Sequence, residues 1–269
     1  MAAVTSESLS TVRRDQEQTV RSADLTVARQ LFEALDVLDS SAALRRALTD
    51  PAREAEERAG LVRELFGGRA DQGAVTLLEA LASQRWSRER DLGDAVEVIA
   101  VDVVAVGGER EGLVGLEALE SSLLELRRAV MSSHELQRAM TDQQASSEAK
   151  LRLAAALSRD ASDEARLLID RAVTSPRGLR PEALIERFAE QIAQRQQRWI
   201  AQVTVAKSLD QTYRDRLSAG LNRYFGRDLK LDVVVDPSVV GGIRVQVGDE
   251  VVDSTVSSKV GELRRRMAR

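Results

Sequence analysis

From Leu25 onward, apolar side chains recur at every third or fourth position. Leu25, Ala28, Leu31, Phe32, Leu35 and Leu38 form one stripe of an amphipathic helix. The same period returns in shorter segments: Leu44 with Leu48, Leu61 with Leu65, and Val75, Leu77, Leu78 and Leu81. The Val-rich run that follows is ambiguous, because β-branched residues favour strands. Leu92, Val96, Ile99 and Val103 nevertheless stand four, three and four residues apart, which predicts a helix, with Gly107-Gly108 as its stop. Residues 1–20 show no helical period and are expected to be a flexible N-terminus.

After Trp199 the period changes to two. Ile200, Val203 and Val205 predict a strand. Ser208-Leu209-Asp210-Gln211 has the form of a capping box, with Ser208 as cap and Gln211 reaching back. It opens a helix whose stripe is Leu209, Tyr213, Leu217 and Leu221, ended by Gly226. Leu229, Leu231, Val233 and Val235 alternate with Lys230 and Asp232 as a half-buried strand, and Asp236-Pro237 forces a turn. Ile243, Val245 and Val247 alternate again. Gly248-Asp249 reads as a two-residue hairpin loop leading to Glu250–Asp253, and Val256, Val260, Leu263 and Met267 mark a closing helix.

The helical part contains a repeat. A shift of 92 residues lays Leu44–Asp50 on Leu136–Asp142 with five of seven positions identical. At the same shift Ser40-Ser41 falls on Ser132-Ser133, Leu31 on Leu123, Glu56 on Glu148, Leu61 on Leu153 and Leu65 on Leu157. After a two-residue slip, Leu77-Leu78 falls on Leu167-Leu168. Two related bundles are expected, at 21–112 and 113–197, the second closed by Leu179, Leu184, Phe188 and Ile192. The competing reading is one long bundle with coincidental similarity. Residues 198–269 form a small α/β domain. The fold class expected is therefore mostly α: two tandem helical bundles followed by a short β-sheet flanked by helices.

Composition agrees and excludes several classes of function. Of 269 residues, only 3% are aromatic, with Gly 16, Pro 4 and Cys 0. Scarce Gly and Pro favour long helices, and the absence of Cys removes disulfides, thiol catalysis and thiolate metal sites. A net charge of −4 provides no global positive field for nucleic acid or anionic lipid. Lys occurs only at 150, 207, 230 and 259, so 35 of the 39 basic residues are Arg. Met1–Val20 carries no apolar run of a signal peptide. Val96–Val106, interrupted by Glu97 and Asp102, is too short to cross a bilayer.

The search for chemistry finds no catalytic, cofactor-binding or metal-ligating constellation. His134 is the only histidine, so no His-His metal pair and no HExxH motif exist. Without a sequence-local partner it reads as solvated. Gly67-Gly68, Gly107-Gly108 and Gly241-Gly242 are neither GxGxxG nor followed by Gly-Lys-Ser/Thr. Gly241-Gly242 stands at a strand entrance, where a bulge or a close backbone approach is expected. Carboxylates mix with Arg at helix-surface spacing, as Glu186 and Glu190 do near Arg187 and Arg195. Arg264-Arg265-Arg266 fits cations opposing a helix dipole, and Trp86 and Trp199 fit packing. A chain this long without a site points to a protein that holds other proteins, through grooves that accept an amphipathic helix.

The segment Asp236-Pro237-Ser238-Val239-Val240-Gly241-Gly242-Ile243-Arg244-Val245-Gln246-Val247-Gly248-Asp249-Glu250-Val251-Val252-Asp253 narrows this. It closely resembles the C-terminal signature of the delta subunit of F-type ATP synthase, the oligomycin-sensitivity-conferring protein family. The shared order is an acidic residue near the turn, a Gly pair, apolar-Arg alternation, Gly-Asp, then apolar residues and Asp. Ser254 departs from the family's usual Gly. The resemblance implies a helical bundle followed by an α/β domain, here in the long form with a duplicated bundle typical of actinobacterial enzymes. It implies a non-catalytic subunit of the peripheral stalk, at the cytoplasmic face of the bacterial membrane and without inserting into it. There it would tie the catalytic head, through N-terminal helices of the alpha subunits, to membrane-anchored subunit b, so that proton-driven rotation is coupled to ATP synthesis. The alternatives are a generic helical scaffold with other partners and, against the acidic balance, a nucleic-acid-binding module.

Overall fold

The computed structural model describes residues 3–226, 229–236, 239, 241–248 and 250–253. Thirteen α-helices run through them. The first seven are α1 (Ala3–Asp15), α2 (Glu17–Ser22), α3 (Leu25–Ser40), α4 (Ala42–Thr49), α5 (Ala55–Phe66), α6 (Gln72–Ser83) and α7 (Glu89–Glu109). The others are α8 (Gly112–Met131), α9 (His134–Thr141), α10 (Ser147–Leu157), α11 (Asp163–Thr174), α12 (Pro181–Gln196) and α13 (Gln211–Phe225). Four strands complete the set: β1 (Ile200–Val205), β2 (Lys230–Val235), β3 (Ile243–Val247) and β4 (Glu250–Asp253). Contacts sort the chain into two units. One holds residues up to Glu111 with Gly115–Ile192, and the other holds Gly112–Val114 with the chain from Ala193. The mostly α fold with a small C-terminal α/β part is the one expected.

The first unit is organised around α7. This helix is buried on nearly every side, from Leu92 to Val106, which is how a helix apolar all round must sit. Helices α1, α2, α3, α4, α6 and α11 all pack on it. It does not stop at Gly107-Gly108 but runs through both. These glycines serve close approach instead: a Cβ on Gly107 would meet Glu164, and one on Gly115 would collide with the Gly108 carbonyl. Residues 3–20, in the segment expected to be flexible, lie mostly in α1 and α2. Thr5, Ser8, Leu9 and Val12 form a buried stripe on α1 at helical spacing. Half of that stripe is hydroxyl, so apolar periodicity missed it. Thr5 Oγ1 donates to Asp91 Oδ2 at 2.6 Å and Ser8 Oγ to the Arg85 carbonyl at 2.7 Å.

Helices α3 to α7 correspond in order to α8 to α12, five pairs along the chain. Helix α9 starts and ends 92 residues after α4, and α12 starts 92 after α7. Ser41 caps α4 by accepting from the Leu44 N–H at 3.2 Å, and Ser133 caps α9 by accepting from the Leu136 N–H at 3.4 Å. Arg45 donates back to the Asp39 carbonyl, and Gln137, its counterpart, donates to Met131, the counterpart of Asp39. Leu31 with Leu123 and Leu48 with Met140 are buried pairs. Between α6 and α11 the shift is 91. Buried Ala74, Leu77, Leu78, Leu81 and Ala82 match buried Ala165, Leu168, Ile169, Ala172 and Val173, so Leu77-Leu78 falls on Leu168-Ile169 rather than on Leu167-Leu168. On α5 the buried face is Arg58, Ala59 and Val62, while Leu65 is exposed.

Helices α1 and α2 have no counterpart in the second set. In the first set they pack on α6. In the second, α11 rests on α3 and α7. The second repeat therefore borrows the first as its missing layer, and both repeats fall inside one compact unit.

The second unit is a four-stranded sheet in the order β2-β1-β3-β4, with β1 and β2 parallel and the other pairs antiparallel. The parallel pair needs a crossover, and α13 supplies it. Ala201, Val203 and Val205 on β1 and Val245 and Val247 on β3 point to one face, where Leu209, Leu217, Leu221 and Phe225 cover them. Gln202, Lys230, Asp232, Arg244 and Gln246 take the exposed face. Tyr213, expected in the helix stripe, is 61% exposed. The cap of α13 is Asp210, which accepts from the Tyr213 N–H at 2.9 Å, so the capping box expected from Ser208 is displaced by two residues. Gly226 ends the helix at φ 68 as expected. Val247 pairs with Glu250 as expected of a hairpin, and Gly248, which follows Val247, has φ 58; Asp249 lies outside the described residues. Ser254, the closing helix of Val256, Val260, Leu263 and Met267, and Arg264–Arg266 lie outside the described residues.

Candidate docking surfaces

Among the described residues no group of three or more His, Asp or Glu is placed to hold a metal ion. His134 is the exposed first residue of α9. Gly67 ends α5, and Gly241 and Gly242, both at positive φ, lead into β3 where a side chain would be strained. Trp86 is buried, its Nε1–H donating to the Leu81 carbonyl at 2.9 Å. No helix among the described residues is long and apolar enough to cross a membrane.

What the first unit does hold is a seam of charge where α11, α12 and the loop between them meet α3 and α7. Arg171 on α11 donates to Asp36 Oδ1 at 2.6 Å, and its guanidinium lies 5.2 Å from the centre of the Phe32 ring. Arg177, in the loop, reaches Asp39 at 2.6 Å, Asp94 at 2.9 Å and Glu97 at 3.6 Å. Arg187 also approaches Glu97, at 3.7 Å, and Glu186 pairs with Arg127 at 2.9 Å. The charges of α12 expected to be a solvated face thus reach neighbouring helices. Gln191 adds donations to the Val98 carbonyl and to Asp102, which also receives Arg13. Burial pushes the Glu97 carboxyl above the ordinary range, opposed by Arg177, Arg187 and Arg171. Partners about 60 to 140 residues away leave no sequence-local signal, which is why this seam was missed.

Two open depressions on the first unit are related by the same repeat. One, of about 630 Å³, lies between the end of α4 and the loop before α7, with Arg46, Thr49, Trp86 and Arg88 in its wall. The other, of about 930 Å³, lies between the end of α9 and the loop before α12, and its wall contains Arg138, Thr141, Gly178 and Arg180 at the 92-shifted positions.

The family profile of the ATP synthase delta (OSCP) subunit matches residues 104–267, which take in the second repeat and the α/β part but not the body of the first repeat. Over its whole length the chain is 49% identical to ATP synthase subunit delta of Pseudarthrobacter chlorophenolicus, across 274 residues and the whole of that protein. It is 48% identical to the subunit delta of Renibacterium salmoninarum, again with both chains covered completely. With the subunit delta of Thermobifida fusca it shares 36% identity over 270 residues, both chains covered in full.

Proposed function

This chain belongs to the ATP synthase delta (OSCP) subunit family, and we propose that it acts as the brace of the peripheral stalk, tying the catalytic head to membrane-anchored subunit b. Full-length identity of 49% to a subunit delta, with a family profile across the second repeat and the α/β part, is the observation that carries this reading. A stalk subunit does no chemistry itself. Rotation of the central shaft yields ATP only if the catalytic ring is held still, so the tether has to bear torque.

A chain made of two units suits that task. One unit grips N-terminal helices of the alpha subunits and the other meets the end of b. Two modest grips on one linked body outlast either alone, because releasing one leaves the other holding it at high effective concentration. The seam of Arg171 and Arg177 stiffens the helical unit against shear. The working place is the cytoplasmic face of the bacterial membrane, reached through the complex.

The test is capture. An alpha N-terminal peptide and the soluble part of b, immobilised separately, should each retain the purified full-length chain. If neither retains it, the brace reading fails. Membrane particles stripped of the chain should regain coupling of proton flow to phosphorylation when it is added back.

A further inference from the structure

Helix α13 carries a face that the sheet does not use. Leu217, Leu221 and Phe225 turn toward the strands, yet no residue of the helix is fully buried. The chain has two tyrosines, and both stand on α13: Tyr213 is 61% exposed and Tyr224 68%. They lie three helical turns apart, so they share one stripe, about 16 Å from each other along the axis. The Tyr224 ring is steadied edge-on by Phe225, with 5.0 Å between ring centres.

Gly220 stands on the same stripe, two turns after Tyr213 and one before Tyr224. Glycine is a poor residue for the middle of a helix. Nothing among the described residues calls for it: its φ is not positive, and a Cβ built there meets nothing within 4 Å. Without a side chain at 220 the stripe dips between the two tyrosines. A saddle about 16 Å between its rims takes one crossing helix of about 10 Å diameter, and the glycine lets the two backbones come close.

Charge specifies that helix. Arg216 and Arg223, two turns apart, run along the side of the stripe remote from the sheet. Both are exposed, and neither pairs with a carboxylate among the described residues. Asp215, the one acidic residue of α13, takes a hydrogen bond from Gln211 at 2.8 Å. Tyrosine and arginine are also the side chains that carry much of the binding at protein interfaces.

We propose that this face of α13 docks an amphipathic helix of a partner protein. The partner helix crosses at Gly220 with a small residue, lies between Tyr213 and Tyr224, and sets its carboxylates against Arg216 and Arg223. The proposal rests on α13 and not on the stalk reading. Capture on the alpha peptide and on b tests that reading, whereas a peptide of defined chemistry tests this face, so either can fail without the other.

The test uses the full chain with its tyrosine rings isotope-labelled for NMR, which places both ring probes on the stripe. The probe is a synthetic helical peptide with alanines along its apolar face and glutamates flanking them. Titration should shift both ring signals saturably. A peptide with lysines in place of the glutamates should bind about tenfold more weakly or worse, as should the wild-type peptide to Arg216→Glu with Arg223→Glu. Gly220→Ala should raise the midpoint in urea, because alanine is the better helix former, and yet weaken peptide binding about tenfold, because its methyl stands at the crossing. A glycine that serves only the fold would not give those opposite responses. No saturable shift at either tyrosine overturns the proposal. So does equal binding by the lysine peptide, or undiminished binding by Gly220→Ala.

Discussion

Arg177 concentrates more of the unit's electrostatics than any other side chain described. Among the described residues it is the non-glycine residue with positive φ, 53, and Gly178 follows at 82, so the loop is held in a conformation that costs about 1–2 kcal/mol for a residue with a Cβ. Its contacts with Asp39, Asp94 and Glu97 hold it there. Replacing Arg177 by Met leaves the buried Glu97 with Arg187 alone, at 3.7 Å, and is expected to destabilise the chain by ~3 kcal/mol, read as a lower midpoint in urea. Adding Glu97→Gln to that variant should restore part of the loss, since the stranded charge goes. Arg21, which pairs with Glu17 in solvent, should tolerate Ala with a change within ~0.5 kcal/mol. Glu97 also sets a pH dependence. Its carboxyl is raised above 4.5, so the folded chain holds the proton more tightly than the unfolded one. The stability this lends is complete below the unfolded value and is lost as pH rises through the folded one. The melting temperature of the wild-type chain minus that of Glu97→Gln should therefore fall as pH is raised from 4.5 to 7. A difference that stays flat or grows would refute the assignment.

Caps and glycines decide where the helices begin and how closely they meet. Ser41 and Ser133 make the same hydrogen bond in the two repeats. Changing either to Ala should cost ~1 kcal/mol, and a clearly unequal pair of losses would show that the two caps sit in different environments. Gly115 and Gly60 are expected to respond in opposite directions. At Gly115 a Cβ would strike the Gly108 carbonyl across the α7–α8 corner, so Gly115→Ala should destabilise by ~1–3 kcal/mol. Gly60 lies inside α5 with nothing within 4 Å of a built Cβ, so Gly60→Ala should stabilise by ~0.5–1 kcal/mol. Both are measurable by denaturant titration. The serine pairs stood out in sequence because a hydroxyl before a helix is a local signal. The Gly107-Gly108 pair was misread as a stop because close approach depends on a second helix that the local pattern does not contain.

For the molecule as a whole, the decisive fact is that α11 packs on α3 and α7 where α6 packs on α1 and α2. The second repeat lacks a layer and takes it from the first. A fragment of residues 1–111 should therefore give a cooperative thermal transition, while residues 112–192 alone should not. A cooperative transition in the latter fragment would show that the borrowed layer is dispensable. The same arrangement gives a stalk subunit one stiff helical unit, because Arg171, Arg177 and Gln191 stitch the two repeats together.

The sequence by itself determined most of the helices, three of the four strands from their alternation and the fourth from the Gly248-Asp249 turn, the 92-residue repeat and the family, since periodicity, turn chemistry and motif are properties of neighbouring residues. Only the tertiary structure decided that residues 3–22 are helical, because the stripe of α1 is completed by Thr5 and Ser8, whose hydroxyls are buried only once Asp91 and the Arg85 carbonyl are beside them. It also decided the charged seam and the open groove. Both depend on side chains such as Arg177 and Glu97, whose meaning comes from partners distant along the chain and adjacent in space.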